Sequence, residues 1–309
     1  MAWTATDIPD QHGRTAVVTG ANGGLGLVTA KALAAKGAHV VMAVRNQQKA
    51  AAAVDEIRAA VPDASLKLVA LDLSTQASVH EAAKEILAAH NTIDLLINNA
   101  GVMAISEART VDGFEMQFGV DHLGHWTLTG LLLPALLRTD GSRVVTVTST
   151  AHHMGKPVDV NNPHLDGRYG AWRAYGQAKL ANFHFGLGLD RQLKQAGART
   201  ASLIAHPGLS DTDLQSVSVA GSGGGFSQRI AHAATRRTGM SADDGALPQL
   251  RAATDPAAKG GEFYGPLFVN NGRPVRKPIL RQFGMDQAIA KLWSVSERET
   301  GVAIATNGH

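Results

Sequence analysis

Tyr175 and Lys179 stand four residues apart in Tyr175-Gly-Gln-Ala-Lys179, inside a stretch with helical patterning. That spacing puts both side chains on one helix face. A phenol ionises near pH ~10 and exchanges protons poorly at neutral pH. An ammonium one turn away favours the phenolate, which suits tyrosine to proton exchange with an alcohol or ketone oxygen. Taken alone such a pair is usually surface decoration, so its weight comes from the rest of the chain. A second group of residues lies in Thr19-Gly20-Ala21-Asn22-Gly23-Gly24-Leu25-Gly26, between a strand pattern and a helix pattern. A pyrophosphate needs backbone N–H groups and a helix N-terminus at close range, and Cβ atoms would block its approach. Glycines at 20, 24 and 26 give that clearance, and the turn, with Asn22 and Leu25 in it, implies dinucleotide binding.

The end of the second strand pattern bears on which nucleotide is bound. NAD binders place a carboxylate there for the ribose 2′-hydroxyl, whereas NADP binders offer a cation to the 2′-phosphate. Here the run is Val41-Met-Ala-Val44-Arg45-Asn46, with no carboxylate and Arg45 as its first charge. A solvated surface arginine is the bland alternative. The missing acid and the position of Arg45 together favour NADP(H) over NAD(H).

The elements that must hold these groups alternate. Strands are expected over Thr15–Thr19, His39–Ala43, Leu66–Leu71, Ile93–Ile97, Arg143–Thr148 and Thr200–Ala205. Helices are expected from the glycine turn to about Lys36, over Gln47–Ala60, from a Ser74 cap to Ala89, over Gly113–Leu137 and over Ala174–Gln195. Continuous apolar strands alternating with helices predict an α/β, doubly wound (Rossmann), mostly parallel sheet with helices on both faces. No composition shift divides the chain, so residues 1–309 are expected as one domain. Residues 209–240 hold Gly221, Gly223, Gly224 and Gly225 among serines and are expected as a substrate lid. Ser241-Ala-Asp-Asp244 starts a helix to about Thr254, Glu262–Tyr264 reads as a short strand, and Met285–Thr300 is a helix ending at Gly301. Residues 270–309 form a C-terminal extension.

Composition narrows the classes. At 309 residues and 44% hydrophobic, the chain can bury a large core. Lys plus Arg number 29 against 26 acids, and no basic stripe with interleaved aromatics favours nucleic acid. Cysteine is absent, which removes disulfides, thiolate metal sites and a cysteine nucleophile. The longest apolar stretch, Leu128–Leu137, is interrupted by Thr129, Gly130 and Pro134 and falls short of the ~20 residues of a membrane span. The N-terminus lacks a signal layout, so a cytoplasmic protein is expected.

The ordered set of motifs resembles the short-chain dehydrogenase/reductase family in its compact form. The matches are Gly20/Gly24/Gly26, Asp72-Leu73, Asn98-Asn99-Ala100-Gly101, Ser149, Tyr175 with Lys179, and His206-Pro207-Gly208 with Thr212. The resemblance implies that Asp72 bonds the adenine, that Leu73 flanks it, and that Asn99, Ala100 and Gly101 support the adenosine ribose side. It implies that Pro207, Gly208 and Thr212 hold the nicotinamide carboxamide and diphosphate. Ser149 would bond the substrate oxygen, Tyr175 would move the proton, and Lys179 would also hold the nicotinamide ribose. Within the family, Gly119-Val-Asp-His-Leu-Gly-His125, Ser149-Thr-Ala-His-His153, Lys179-Leu-Ala-Asn182 and Leu292-Trp-Ser-Val-Ser-Glu297 resemble the retinol dehydrogenase-like branch.

One position departs from the pattern. The family usually has Asn where Asp121 stands, and that Asn helps hold water in a proton relay reaching Lys179. An ionised aspartate accepts hydrogen bonds but donates none. Asp121 therefore either still holds the water, pairs directly with Lys179, or impairs the relay. His122 with His125, and His152 with His153, invite a metal reading, but no third ligand stands at metal spacing, so no metal is expected. His206 reads as structural.

The expected function is an NADP(H)-dependent oxidoreductase acting on CH–OH donors, interconverting an alcohol and a lipophilic ketone or aldehyde. Two rival readings stay open: an NADP(H)-sensing regulator without turnover, and a reductase of C=C bonds. The expected partner is a small-molecule substrate, and the apolar helices could support a homodimer.

Overall fold

The computed structural model describes residues 2–209, 240–280 and 284–306. Among them runs an eight-stranded sheet in the order β3-β2-β1-β4-β5-β6-β7-β8. β1 (Thr15–Thr19), β2 (His39–Val44), β3 (Leu66–Ala70), β4 (Leu95–Asn98), β5 (Arg143–Val147), β6 (Ala201–Ala205) and β7 (Phe263–Pro266) are parallel. β8 (Pro274–Lys277) returns antiparallel to β7. Strand order reverses between β1 and β4, which opens a crevice beyond the carboxyl ends of those strands.

Among the described residues the α-helices are α1 (Gly24–Ala34), α2 (Gln47–Ala60), α3 (Gln76–Ala89), α4 (Met116–Phe118), α5 (Gly124–Leu137), α6 (Ala171–Gln195), α7 (Ala242–Thr254) and α8 (Met285–Thr300). Side chains alternate along β1, so its two faces feed two cores. Val17 joins residues of α3, α5 and α6, whereas Ala16 and Val18 join residues of α1, α2 and α7. Both faces are therefore dry, which is why the strands read as unbroken apolar runs.

Three local expectations are corrected. The helix expected over Gly113–Leu137 begins at Met116, and a π-helical turn over Gly119–Leu123 joins α4 to α5. Ser74 does not cap α3: the cap position is Thr75, the Ser74 hydroxyl donates to Asp72 Oδ1 at 2.7 Å, and Gln76 N–H donates to Asp112 Oδ2 at 2.8 Å. A nearby carboxylate outcompetes the local hydroxyl for the helix end. β8 was not expected from the sequence, because a four-residue edge strand opening on proline and carrying Arg276 and Lys277 has no apolar pattern.

Of the residues expected as a C-terminal extension, Pro274–Lys277 belong to the sheet as β8, and α8 with the segment after it packs on the helices. Gly188 of α6 leaves room for the Trp293 ring of α8, and Trp126 Nε1–H donates to the Val302 carbonyl at 2.7 Å. Trp126, Phe185 and Trp293 form a ring cluster with centroids 5.1 to 5.7 Å apart. The expected lid at 209–240 and Thr212 fall on 210–239, outside the described residues apart from Leu209 and Met240.

Candidate active site

Strand ends deliver the candidate residues to one edge of the sheet. A cavity of about 650 Å³ runs along it, within the usual range for small-molecule sites. At one end lies the turn after β1. Gly20 and Gly24 hold φ of +68° and +48°, left-handed values that favour glycine. A Cβ on Gly26 would run into the Gly20 carbonyl oxygen. No side chain caps α1 at Gly23, so its N-terminal end is open toward the cavity. Asn22 and Leu25 share this wall.

Asn99, Ala100 and Gly101 form the neighbouring wall after β4. Thr19 fastens the two turns: its Oγ1 accepts from Asn99 N–H at 2.9 Å and Ala100 N–H at 3.0 Å. Asn99 Nδ2–H donates back to the Thr19 carbonyl at 2.9 Å. Pro207 and Gly208, after β6, line the cavity as well. Asp72 and Leu73 lie outside its lining: Asp72 binds Ser74, and Leu73 packs under Gly124, where a Cβ would come within 2.8 Å of its carbonyl oxygen. Arg45 is exposed and also lies outside the lining, whereas Lys49 belongs to it. The sequence reading missed Lys49. Its signal was Asn46, whose Oδ1 accepts from Lys49 N–H at 2.9 Å and starts α2 so that the first turn faces the cavity.

Ser149, Tyr175 and Lys179 meet toward the other end of the cavity. α6 is buried almost throughout from Ala174 to Asp190, and Gly176 lets it press against Gly155 of the loop that follows Ser149. The Thr148 hydroxyl donates to the Lys179 carbonyl at 2.7 Å, pinning the end of β5 to that turn of α6. Lys179 Nζ lies 5.4 Å from the centroid of the Tyr175 ring. Met103, Met154, Trp172, Leu209 and Val269 give this region apolar walls.

Behind Lys179 sits Asp121, from the π turn. Its Oδ2 is 2.8 Å from Lys179 Nζ, its Oδ1 accepts from Val102 N–H at 2.7 Å, and its side chain is fully buried. Of the three arrangements open to the sequence, the structure shows the direct pair. Burial works against the Lys179 ammonium, yet Asp121 and Tyr175 beside it hold its pKa above the ordinary value. Burial pushes the Asp121 carboxyl up, against the pull of Lys179 and the Val102 N–H. Burial also pushes the Tyr175 phenol up; Lys179 and Ser149 oppose this, and Asp121 adds to it.

The histidines make structural contacts. His125 Nδ1–H donates to the Asp121 carbonyl at 2.9 Å, and its Nε2 lies 2.9 Å from Thr19 Oγ1. His122 bridges Asn182 and Ser296, His152 stacks on Phe183 at 4.7 Å, and His206 Nδ1 accepts from Gly208 N–H.

A glycine turn at an uncapped helix start and a buried Tyr–Lys pair thus line one cavity. The short chain dehydrogenase family profile matches residues 14–223. The chain belongs to the short-chain dehydrogenase/reductase family. The chain is 40% identical to the short chain dehydrogenase/reductase dpchH of Colletotrichum higginsianum over 231 residues, 68% of this chain and 58% of that protein. It is 43% identical to human retinol dehydrogenase 11 over 202 residues, 65% of this chain and 63% of that protein. It thus spans less than two thirds of these relatives, and it resembles the retinol dehydrogenases within the family.

Among solved structures, an uncharacterized protein from Mycobacterium paratuberculosis is 39% identical, with a TM-score of 0.79, over 99% of this chain and 100% of that one. A Beutenbergia cavernae structure with bound NADP has 26% identity and a TM-score of 0.64, over 83% and 96% of the two chains. A Burkholderia phymatum short chain dehydrogenase/reductase in complex with NAD has 25% identity and a TM-score of 0.61, over 79% and 86%. Among the described residues no helix is long and apolar enough to cross a membrane.

Proposed function

We propose that the chain is an NADP(H)-dependent oxidoreductase that interconverts an alcohol and a lipophilic ketone or aldehyde, with Tyr175 as acid and base. The observation that carries this reading is one cavity joining the glycine turn to Tyr175, Ser149 and Lys179. The cofactor fits the residues present: the clearance left by Gly20, Gly24 and Gly26 and an uncapped α1 would hold its diphosphate. Arg45 and Lys49, both at the start of α2, would meet a 2′-phosphate. Asn99, Ala100 and Gly101 would support the adenosine ribose side, Pro207 and Gly208 the nicotinamide end. Bound there, the nicotinamide supplies or takes up hydride.

The remaining work belongs to side chains. Ser149 would hydrogen-bond the carbonyl oxygen and fix its distance from the phenol. Tyr175 would give that oxygen its proton during reduction and take it back during oxidation. Lys179 would hold the ribose hydroxyls and bear on the phenol at the same time. The apolar walls at Met154, Trp172 and Leu209 favour a substrate with a hydrocarbon body.

The test is NADPH oxidation across a panel of lipophilic ketones and aldehydes, repeated with Tyr175→Phe. Loss of about 10² to 10⁴ in rate with cofactor binding retained is expected. Equally negligible turnover by both chains, with cofactor still bound, would replace this reading by a nucleotide sensor. A saturated carbonyl as the only product would assign C=C reduction instead.

A further inference from the structure

We propose that Asp121, seated on Lys179, keeps Tyr175 a proton donor well into the alkaline range, so that reduction holds its rate at pH values where oxidation still lacks its base. This rests on the oxidoreductase reading above and adds a residue that acts through Lys179 without touching substrate.

The geometry is closed. Asp121 Oδ2 takes the ammonium at 2.8 Å, Oδ1 takes the Val102 N–H at 2.7 Å, and the carboxylate is shut off from solvent. Gly101 lies against the pair: a Cβ there would come within 3.1 Å of both Asp121 Oδ1 and Lys179 Nζ. A lone ammonium near a phenol lowers the cost of forming phenolate; an ammonium with an anion on its far side acts as a dipole and does so less. An uncharged residue at 121 would leave the full positive charge to act on Tyr175.

Other groups around the pair do not restore that charge. From the π turn and α5 come His122 and His125, which burial holds down to about 3 and about 4, so both are neutral when tyrosine titrates. From the segment after β5, His152 is likewise held down to about 4, chiefly by burial, while His153 lines the cavity and Ser149 is uncharged. Ahead of α4, burial lifts Glu115 to about 7, and the nearby Asp121 charge adds to that rise.

The chemistry follows from conservation of charge. In reduction the carbonyl carbon gains hydride from reduced nicotinamide, its oxygen gains the Tyr175 proton, and the resulting phenolate is reprotonated from water. Oxidation is the reverse and needs phenolate to take the alcohol proton. A raised phenolate threshold extends the first pH range and delays the second.

The decisive measurement is the tyrosinate absorbance titration of the full cofactor-free chain. Tyr175→Phe serves as the blank, since the chain holds three tyrosines. Asp121→Asn is expected to titrate Tyr175 about one pH unit lower, giving about tenfold more phenolate at any pH below the midpoint. The alkaline limb of NADPH-dependent reduction should move down with it, and Lys179→Gln should move the titration the opposite way. Asp121→Ser, which keeps an acceptor near Val102 without charge, repeats the measurement should the asparagine chain fail to fold. Superimposable titrations overturn the role of Asp121, whereas a shifted titration without turnover overturns the oxidoreductase reading instead.

Discussion

His125 Nε2 lies 2.9 Å from Thr19 Oγ1, while Nδ1–H of the same ring binds the Asp121 carbonyl. One buried imidazole thus joins the glycine turn to the turn that carries the partner of Lys179. The Thr19 hydroxyl donates to the ring and accepts from two amides of the β4 turn, so each of its hydrogen-bonding directions is used. The cradle and the proton-handling residues are positioned by one network, and changes at either end should be felt at the other.

Gly26→Ala should cost the chain its cofactor. The added methyl meets the Gly20 carbonyl, a backbone atom that cannot swing aside. Overpacking of this kind destabilises by about 1–3 kcal/mol. A thermal melt should show that loss, and NADPH fluorescence titration should show binding weakened at least about tenfold. Unchanged binding would mean that the turn does not cradle the diphosphate.

Arg45→Ala and Lys49→Ala should each weaken NADPH and leave NADH unaffected. A hydrogen bond to a charged group contributes about 1.5–3 kcal/mol, which corresponds to about 10- to 100-fold in affinity. The comparison also ranks the two cations: Lys49 borders the cavity, so its removal should cost more than that of Arg45. Equal losses for NADH and NADPH would deny both a part in reading the 2′-phosphate.

Acid should unfold the protein through its histidines. Burial holds His122 and His206 down to about 3, and His125, His152 and His184 down to about 4, against an ordinary value of 6.5. A group whose pKa is depressed by folding takes up a proton on unfolding between its two values, so stability is full above 6.5 and falls below it. At pH 5 each of the five contributes about one proton of uptake. Urea midpoints measured from pH 8 to 4.5 should fall steeply below 6.5, and a flat profile would show that these rings are not buried as described.

Glu115 should act with the opposite sign. Burial lifts it from the ordinary 4.5 to about 7, although its carboxylate accepts from Gln117 N–H at 2.9 Å and Phe118 N–H at 2.7 Å. The folded chain therefore holds this proton more tightly, and the stability it contributes is lost as pH rises through 7. The interval from 4.5 to about 7 converts to about 3 kcal/mol. Glu115→Gln should gain stability relative to the parent at pH 8.5 that it lacks at pH 5, read from the same urea midpoints; a constant difference would reject the assignment.

How legible the molecule was follows from which forces act locally. β1 could be read to the residue because both of its faces are dry, and Tyr175 with Lys179 because helical spacing alone sets them side by side. Lys49 was hidden because its direction depends on how Asn46 starts α2. The π turn was hidden because it depends on Gly119 pressing against Thr110 and on Asp121 reaching Lys179, contacts between segments far apart in sequence. The partner chosen by Asp121 was narrowed to three arrangements by its chemistry and selected only by the approach of α6.

The wider winding over Gly119–Leu123 accommodates one residue more than a regular helix would need there. Loss of a single codon in that stretch would let the screw run on as regular α-helix with its two ends still in register, at the cost of the bulge that carries Asp121. Trp126 would then keep its seat among the aromatic rings while Asp121 was drawn away from the amine, so the extra residue serves the ion pair rather than the packing of this helix.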